Sequence, residues 1–322
     1  MMFILGAKVD LTIAAWHWFF LVGLLGALLL VDILVVHRTA HVAKPKEALI
    51  ETIVWVAIGL AFGGWMVFEF GNQAGGEYFG GYLIEKSLSI DNVFVWAVLF
   101  SHFKVPPQYQ HRVLFWGIFG ALVMRLGFIF AGVAIIDTFK VSLIVFGLFL
   151  AYTGVQLLRS GDDDFDPQDS KVLKAFNRIV PSSDVLDGQK LFTVVNAKRV
   201  ATPLLAVLVM VEVSDVIFAV DSVPAVLAVT NEQYIAFASN AFAILGLRAL
   251  YFVVAGMRER FQYLQTGLGI ILVFVGAKMV YSYWHHLSIV ISLSVIVVVL
   301  AGSIAASIRW GAPPANEGTP KH

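Results

Sequence analysis

From Ile13 almost to its carboxyl terminus, the chain returns nine times to an apolar run long enough to span a membrane. The runs lie near residues 13–36, 52–70, 82–102, 113–136, 141–158, 201–224, 234–256, 263–282 and 287–308, separated by charged or Gly/Pro-rich breaks. One span needs about 20 mostly apolar residues, and hydrocarbon offers no water to satisfy backbone polar groups. The expected fold is therefore all-α, a polytopic membrane protein of about nine transmembrane helices. Composition agrees: 59% of the 322 residues are hydrophobic and only 14% charged, where a soluble domain has about a quarter charged.

Cysteine is absent, which removes disulfides, thiolate zinc sites and thiol redox motifs together. The first run, Ile13 to Val36, is too long for a signal-peptide core and has no basic leader, so it is expected to remain as a helix. Lys and Arg alternate across the loops. Three fall in 37–51, two in 103–112, seven in 159–200, two in 257–262 and two in the tail, against Lys8 and Lys140 on the other side. The positive-inside rule then puts the amino terminus outside and the carboxyl terminus in the cytoplasm. The long connection carries an acidic run, Asp162 to Asp166, and an amphipathic stretch, Ser170 to Val180, ended by Pro181. A charge run in a loop is most simply a solvated loop.

Two stretches resemble each other. Ile90-Asp91-Asn92-Val93-Phe94 parallels Ser214-Asp215-Val216-Ile217-Phe218, Phe119 to Arg125 parallels Phe242 to Arg248, and Gly154 parallels Gly276, at offsets falling only from 124 to 122. Three helices per repeat reverse the direction of the second copy. Such inverted repeats are found in carriers, with the substrate site near the midplane where the halves meet. The expected division is two amino-terminal helices in 1–81, one repeat in 82–158, a cytoplasmic loop in 159–200, the second repeat in 201–282, and a last helix with its tail in 283–322.

Acids inside these spans are costly, about 2.5 to 3.5 kcal/mol each on insertion scales, and so are functional candidates. The third run holds Glu85, Ser89, Asp91 and Asn92; the sixth holds Glu212, Asp215, Asp221 and Ser222. Asp91 lies about 14 Å along its run at 1.5 Å per residue, near the midplane, and Asp215 has the matching repeat position. Glu85, Ser89 and Asn92 share one helical face, as do Glu212 and Asp215. Asp221 points away from Asp215 on an ideal helix; Pro224 offers a way to distort it, leaving Asp221 as a metal ligand or an outer gate. Carboxylate, amide and hydroxyl oxygens favour hard cations such as Mg2+, Ca2+ and Mn2+. The expected metal set is Asp91, Asp215, Glu212, Asn92, Asp221 and Glu85, with Ser222, Ser89, Arg125 and Arg248 supporting or gating. The two arginines occupy equivalent repeat positions and need buried anionic partners. Asp91 or Asp215 is the natural one, in a fixed ion pair or a switching one. Asp32 is within reach of Arg38. His37, His41, His102, His111, His285 and His286 read as interfacial, and Trp16, Trp18, Trp284 and Trp310 as a membrane belt.

The segments Gly80 to Phe94, Thr202-Pro203-Leu204 and Val211 to Ala225 resemble the TerC family of integral membrane proteins, named for tellurite resistance, and within it the Alx-like branch, with kinship to LysE-type carriers. The likeness covers nearly the whole chain without departure at the acidic positions. It implies export of Mn2+ and metal homeostasis, in a multi-pass protein of the bacterial cytoplasmic (inner) membrane. No cofactor is expected beyond the transported ion, and no nucleic-acid partner; a homo-oligomer is compatible with the sequence. An enzyme is not expected, since neither a Gly-x-Gly-Asp motif nor a His-Glu-x-x-His helix is present. The competing reading is a non-transporting membrane partner that assists metallation or assembly of other proteins.

Overall fold

The computed structural model describes residues 13–36, 45–159, 186–195, 198–254, 262–284 and 288–310. The apolar runs become helices: α1 (Ala15–Val31), continued by a π-helical turn at Asp32–Val36, α2 (Pro45–His102), α3 (Pro107–Thr138), α4 (Ser142–Arg159), α5 (Pro203–Leu227), α6 (Gln233–Leu245), α7 (Leu247–Val254), α8 (Gln262–Tyr281) and α9 (Ile289–Trp310). Proline opens α3 and α5, where its fixed φ suits a first turn and its missing N–H costs nothing. The acidic run and the amphipathic stretch of the long connection lie outside the described residues, as does Arg38.

Helix α2 is a hairpin. Gly71 has φ 86° and ψ 174°, a conformation open in practice only to glycine, and the chain reverses there. Tyr78 donates its hydroxyl to the Gly59 carbonyl at 2.9 Å. A Cβ on Gly75 would meet Val67, one on Gly63 would meet Phe79 and Tyr78, and one on Gly59 would meet Tyr82. Those pairs advance on one arm as they retreat on the other, so residues 45–70 and 72–102 run antiparallel. The loop expected at 71–81 is one glycine long, and the next helix starts at 72 instead of 82. Its polar start, Asn72-Gln73 and Glu77 among glycines, is helical because it lies against the first arm.

Seven helices among the described residues are long and apolar enough to cross a membrane; α2 is counted once, and α8 is apolar but shorter. Large apolar side chains such as Phe19, Phe68, Tyr152 and Val298 are exposed, an arrangement suited to lipid and not to water. The protein is all-α and membrane-spanning. The connection before α5 adds one unforeseen element, an antiparallel pair β1 (Phe192–Val195) and β2 (Lys198–Ala201) with Phe192 opposite Ala201.

The apolar stretch Gln233–Val253 is 89% buried, against 17–44% for the other spans. It is the centre of the bundle, enclosed by α1, α2 and α3, and it is interrupted at Gly246 between α6 and α7. Trp18 packs edge-on against Tyr234, with ring centroids 5.2 Å apart, so it belongs to this core and not to a belt. Trp16, Trp284 and Trp310 are exposed.

Helices α4 and α8 cross through glycines. A Cβ on Gly147 would lie 2.7 Å from the Gly276 carbonyl oxygen, and one on Gly154 would lie 2.8 Å from that of Gly269. The contact is reciprocal: Gly276 meets the Gly147 carbonyl, and Gly269 that of Gly154. Gly147 and Gly269 are separated by the same 122 residues as Gly154 and Gly276, so exchanging the two helices reproduces the crossing.

Candidate functional site

The second arm of α2, together with α3, α5 and α6, converges on Arg125, a fully buried residue of α3. On α2, Glu85, Ser89 and Asn92 are spaced one and nearly two turns apart and face inward together; Ser89 donates its hydroxyl to Glu85 Oε1 at 3.0 Å. On α5, Asp215 and Ser222 stand seven residues apart on one face. Arg125 Nη1 donates to Glu85 Oε1 and to Ser222 Oγ at 2.8 Å. Its Nη2 and Nε reach Asp215 Oδ1 and Oδ2 at 3.2 and 3.5 Å. Asn92 donates to Asp215 Oδ1 at 3.3 Å. From α6, Asn240 donates to Glu85 Oε2 at 2.8 Å and accepts from Arg125 Nη1 at 3.4 Å. Every charge here is paired and hydrogen-bonded, the condition for keeping charges buried.

Beside this cluster lies a cavity of about 370 Å3. Its polar lining is Glu85, Asp91, Asn92, Arg125, Thr153, Gln156, Asp221, Ser222 and Gln265, with Leu88, Leu157, Phe218 and Leu272 between. Asp91 and Asp221 each precede by one residue a member of the Arg125 cluster, Asn92 in one helix and Ser222 in the other. One residue is about 100° of helical rotation, and the two acids and their neighbours Asn92 and Ser222 all reach the cavity wall. Helix α5 runs on through Pro224, so no break is needed to bring Asp221 there.

Asp91 and Asp215 were expected to share one midplane site. Asp91 shares the cavity with Asp221, while Asp215 is turned to Arg125 and is not among the lining residues. Glu212, expected beside Asp215, lies over Gly120 of α3, where a Cβ would meet its carboxylate. One turn from Asp215 on α5, it points at the neighbouring helix and not into the cavity. Among the described residues, no three His, Asp or Glu side chains are close enough to hold a metal by themselves.

Arg248 also differs from expectation. It lies just after the interruption in the central span and donates to Asp32 of the π-helical turn and, at 2.8 Å, to Glu51 of α2. Asp91 or Asp215 was the expected partner; Asp32 and Glu51 hold it here. Glu69 approaches His17 Nε2 at 3.6 Å and Glu77 accepts from Gln73 at 3.4 Å, both remote from the cavity. Sequence reasoning passed over Asn240, Thr153, Gln156 and Gln265, neutral residues with no charge to mark them, and Lys86, whose ammonium donates to the Ala243 carbonyl at 3.1 Å.

No solved structure matches the chain. A membrane protein of Myxococcus xanthus is 45% identical over 306 residues, covering 94% of this chain and 96% of its own. A Salmonella typhi protein named "Putative membrane-bound redox modulator Alx" is 44% identical over 267 residues, 80% of this chain and 83% of its own. A membrane protein of Rickettsia bellii is 38% identical over 291 residues, 90% of this chain and 96% of its own. The model of the integral membrane protein TerC family matches residues 70–312, from the Gly71 turn to the end of α9. The chain belongs to the TerC family of integral membrane proteins.

Proposed function

We propose that the protein is a secondary transporter that exports divalent cations, Mn2+ foremost, through the cavity beside Arg125. The observation that carries this reading is the pair Asp91 and Asp221 on the wall of one cavity of about 370 Å3, among helices otherwise built for lipid. Acids in such a place need a cationic counterpart, and Asn92, Ser222, Thr153, Gln156 and Gln265 supply further oxygens of the kind hard cations take. A volume of this size holds roughly a dozen waters at about 30 Å3 each, so an ion can enter hydrated. Asp91 and Asp221 meet it first. Glu85 and Asp215 join when Arg125 yields them.

In this reading the chain makes nine spans, counting the arms of α2 separately and α6 with α7 as one, with the amino terminus outside and the carboxyl terminus in the cytoplasm of the bacterial inner membrane. The reciprocal glycine crossing of α4 and α8 supports two inverted three-helix repeats at 82–158 and 201–282, flanked by 1–81, 159–200 and 283–322. Gln156 and Gln265 stand near the ends of α4 and α8 that this orientation makes cytoplasmic, so the cavity opens inward. Proton exchange for the metal is a natural source of energy for export.

The second reading, a membrane partner that assists metallation or assembly without moving ions, is favoured by the lack of a three-ligand metal cluster among the described residues. A redox role of the kind named for the Salmonella relative would have to proceed without thiols of this chain, which has no cysteine. Purified protein in liposomes separates the readings: Mn2+ flux, measured with and without a pH gradient, is expected for the carrier and absent for the partner.

A further inference from the structure

The central span is interrupted at Gly246, and the interruption is held by a charge. Ending α6 at Leu245 leaves carbonyls of its last turn without the N–H groups that a continuous helix would give them, in a place where no water replaces them. Lys86 of α2 takes one, donating its ammonium to the Ala243 carbonyl at 3.1 Å. The sign is right as well, because a helix carboxyl end is the negative pole of its dipole. Gly246 fits closely: a Cβ there would lie 2.8 Å from Trp55 Cβ and 3.1 Å from Lys86 Nζ, so α6 and the first arm of α2 would have to part slightly to admit one.

The other half of the molecule is built differently. Counting from the matched pair Arg125 and Arg248, the counterpart of Gly246 is Val123, and α3 passes through it without a break. The two repeats thus hold unlike conformations in one state, which is what a carrier with inverted repeats does when it exposes its site to one side. The break also divides the central span by task. On one side Asn240 binds Glu85 in the Arg125 cluster; on the other Arg248 is clamped by Asp32 and Glu51. Lys86 is the residue after Glu85, so adjacent side chains of α2 grip α6 on the site side and at its broken end.

We infer that Gly246 is a hinge of the transport cycle and that Lys86 is the positioning residue that latches it. This rests on the transporter reading above. As the cation draws Glu85 and Asp215 from Arg125, α2 shifts against α6, Lys86 leaves the Ala243 carbonyl, and α7 swings about Gly246.

The absence of native cysteine makes the test clean. Trp55→Cys/Gly246→Cys places two Cβ atoms close enough for a disulfide after a small separation. In proteoliposomes the oxidised variant is expected to stop Mn2+ efflux, and reduction to restore it. Efflux at the reduced rate by protein fully cross-linked on a thiol assay would overturn the hinge. Hydrogen exchange tests the latch without any substrate. Lys86→Met is expected to speed exchange of the amides of 250–253 by about tenfold, leaving those of 127–130 in α3 unchanged, with Lys86→Arg restoring protection. Unchanged exchange in Lys86→Met would overturn the latch. If wild-type protein moves no Mn2+, the transporter reading fails; in that case, or if the double variant is inactive in both redox states, hydrogen exchange decides.

Discussion

Arg125 holds Asp215 with two nitrogens, Nη2 on Oδ1 at 3.2 Å and Nε on Oδ2 at 3.5 Å, the forked geometry by which a guanidinium matches a carboxylate. With Glu85 on its remaining side, the residue pairs with two acids that would otherwise be buried without a cation. Arg125→Met is expected to cost about 3–5 kcal/mol of stability, read as a lowered thermal midpoint in detergent. Arg125→Lys keeps the charge and loses the fork, so its midpoint should fall between the two. A Met variant as stable as wild type would show that the cluster is not charged as drawn.

The α4–α8 crossing depends on glycine in a way that a single methyl tests. A Cβ on Gly276 would lie 2.5 Å from the Gly147 carbonyl oxygen and 2.6 Å from the Ala151 nitrogen, backbone atoms that move only if the helices part. Gly276→Ala should destabilise by about 1–3 kcal/mol, as overpacking does. Gly302→Ala, where a Cβ meets nothing within 4 Å, should leave the thermal midpoint near that of wild type.

What the sequence allowed to be read, and what it hid, follows from the range of the interactions involved. Apolar runs of span length are local, and each one appears as a helix. Buried acids in those runs also announce themselves, so Glu85, Asp91, Asp215 and Asp221 were all marked. Which of them line the cavity depends on rotations of about 100° per residue and on helix ends, and the sequence did not separate the lining acids Glu85, Asp91 and Asp221 from Asp215. Arg248 was matched to Asp91 or Asp215 by repeat symmetry, while its partners Asp32 and Glu51 lie far off in sequence, on the π-helical turn and the first arm of α2. The turn at Gly71 was taken for a loop because Asn72, Gln73 and Glu77 look like loop residues until the first arm of α2 is laid against them.

Topology can be checked through single cysteines added to a chain that has none. On the positive-inside rule, Val194→Cys in the exposed β-hairpin and Asn231→Cys between α5 and α6 lie on opposite sides. A membrane-impermeant maleimide added to intact cells should label position 231 and not 194, while opened cells should label both. The reverse pattern would invert the protein and turn the cavity outward.

Selectivity follows from the lining. Oxygen ligands without cysteine suit Mn2+, Mg2+ and Ca2+ better than copper. Cells lacking the protein should accumulate Mn2+ and become sensitive to it, with little change in Cu+. In flux assays Mn2+ should outpace Zn2+; preference for Zn2+ would count decisively against a site of this composition.

The division between the cluster and the cavity makes acids of one type behave differently. Asp91 and Asp221 line the cavity, so on the transporter reading Asp91→Asn and Asp221→Asn remove charges that would meet the travelling cation. Asn keeps the volume and is easier to bury than a carboxylate. Both variants should insert, lose less stability than Asp215→Asn, and lose most Mn2+ flux. Asp215→Asn removes half of what holds Arg125. It leaves a buried guanidinium short of a partner, so it should lose flux and also stability, by about 1–3 kcal/mol for the hydrogen bonds to a charged group that go unmade. Glu212→Gln, over Gly120 and away from the cavity wall, should impair flux less than either cavity variant. Thermal midpoints and flux measured on the same preparations decide the matter. If Asp91→Asn and Asp215→Asn were equally destabilised, the two acids would share one environment, and the separation of cavity from cluster would have to be given up. If Asp91→Asn and Asp221→Asn both moved Mn2+ at the normal rate, the cavity would not be the path.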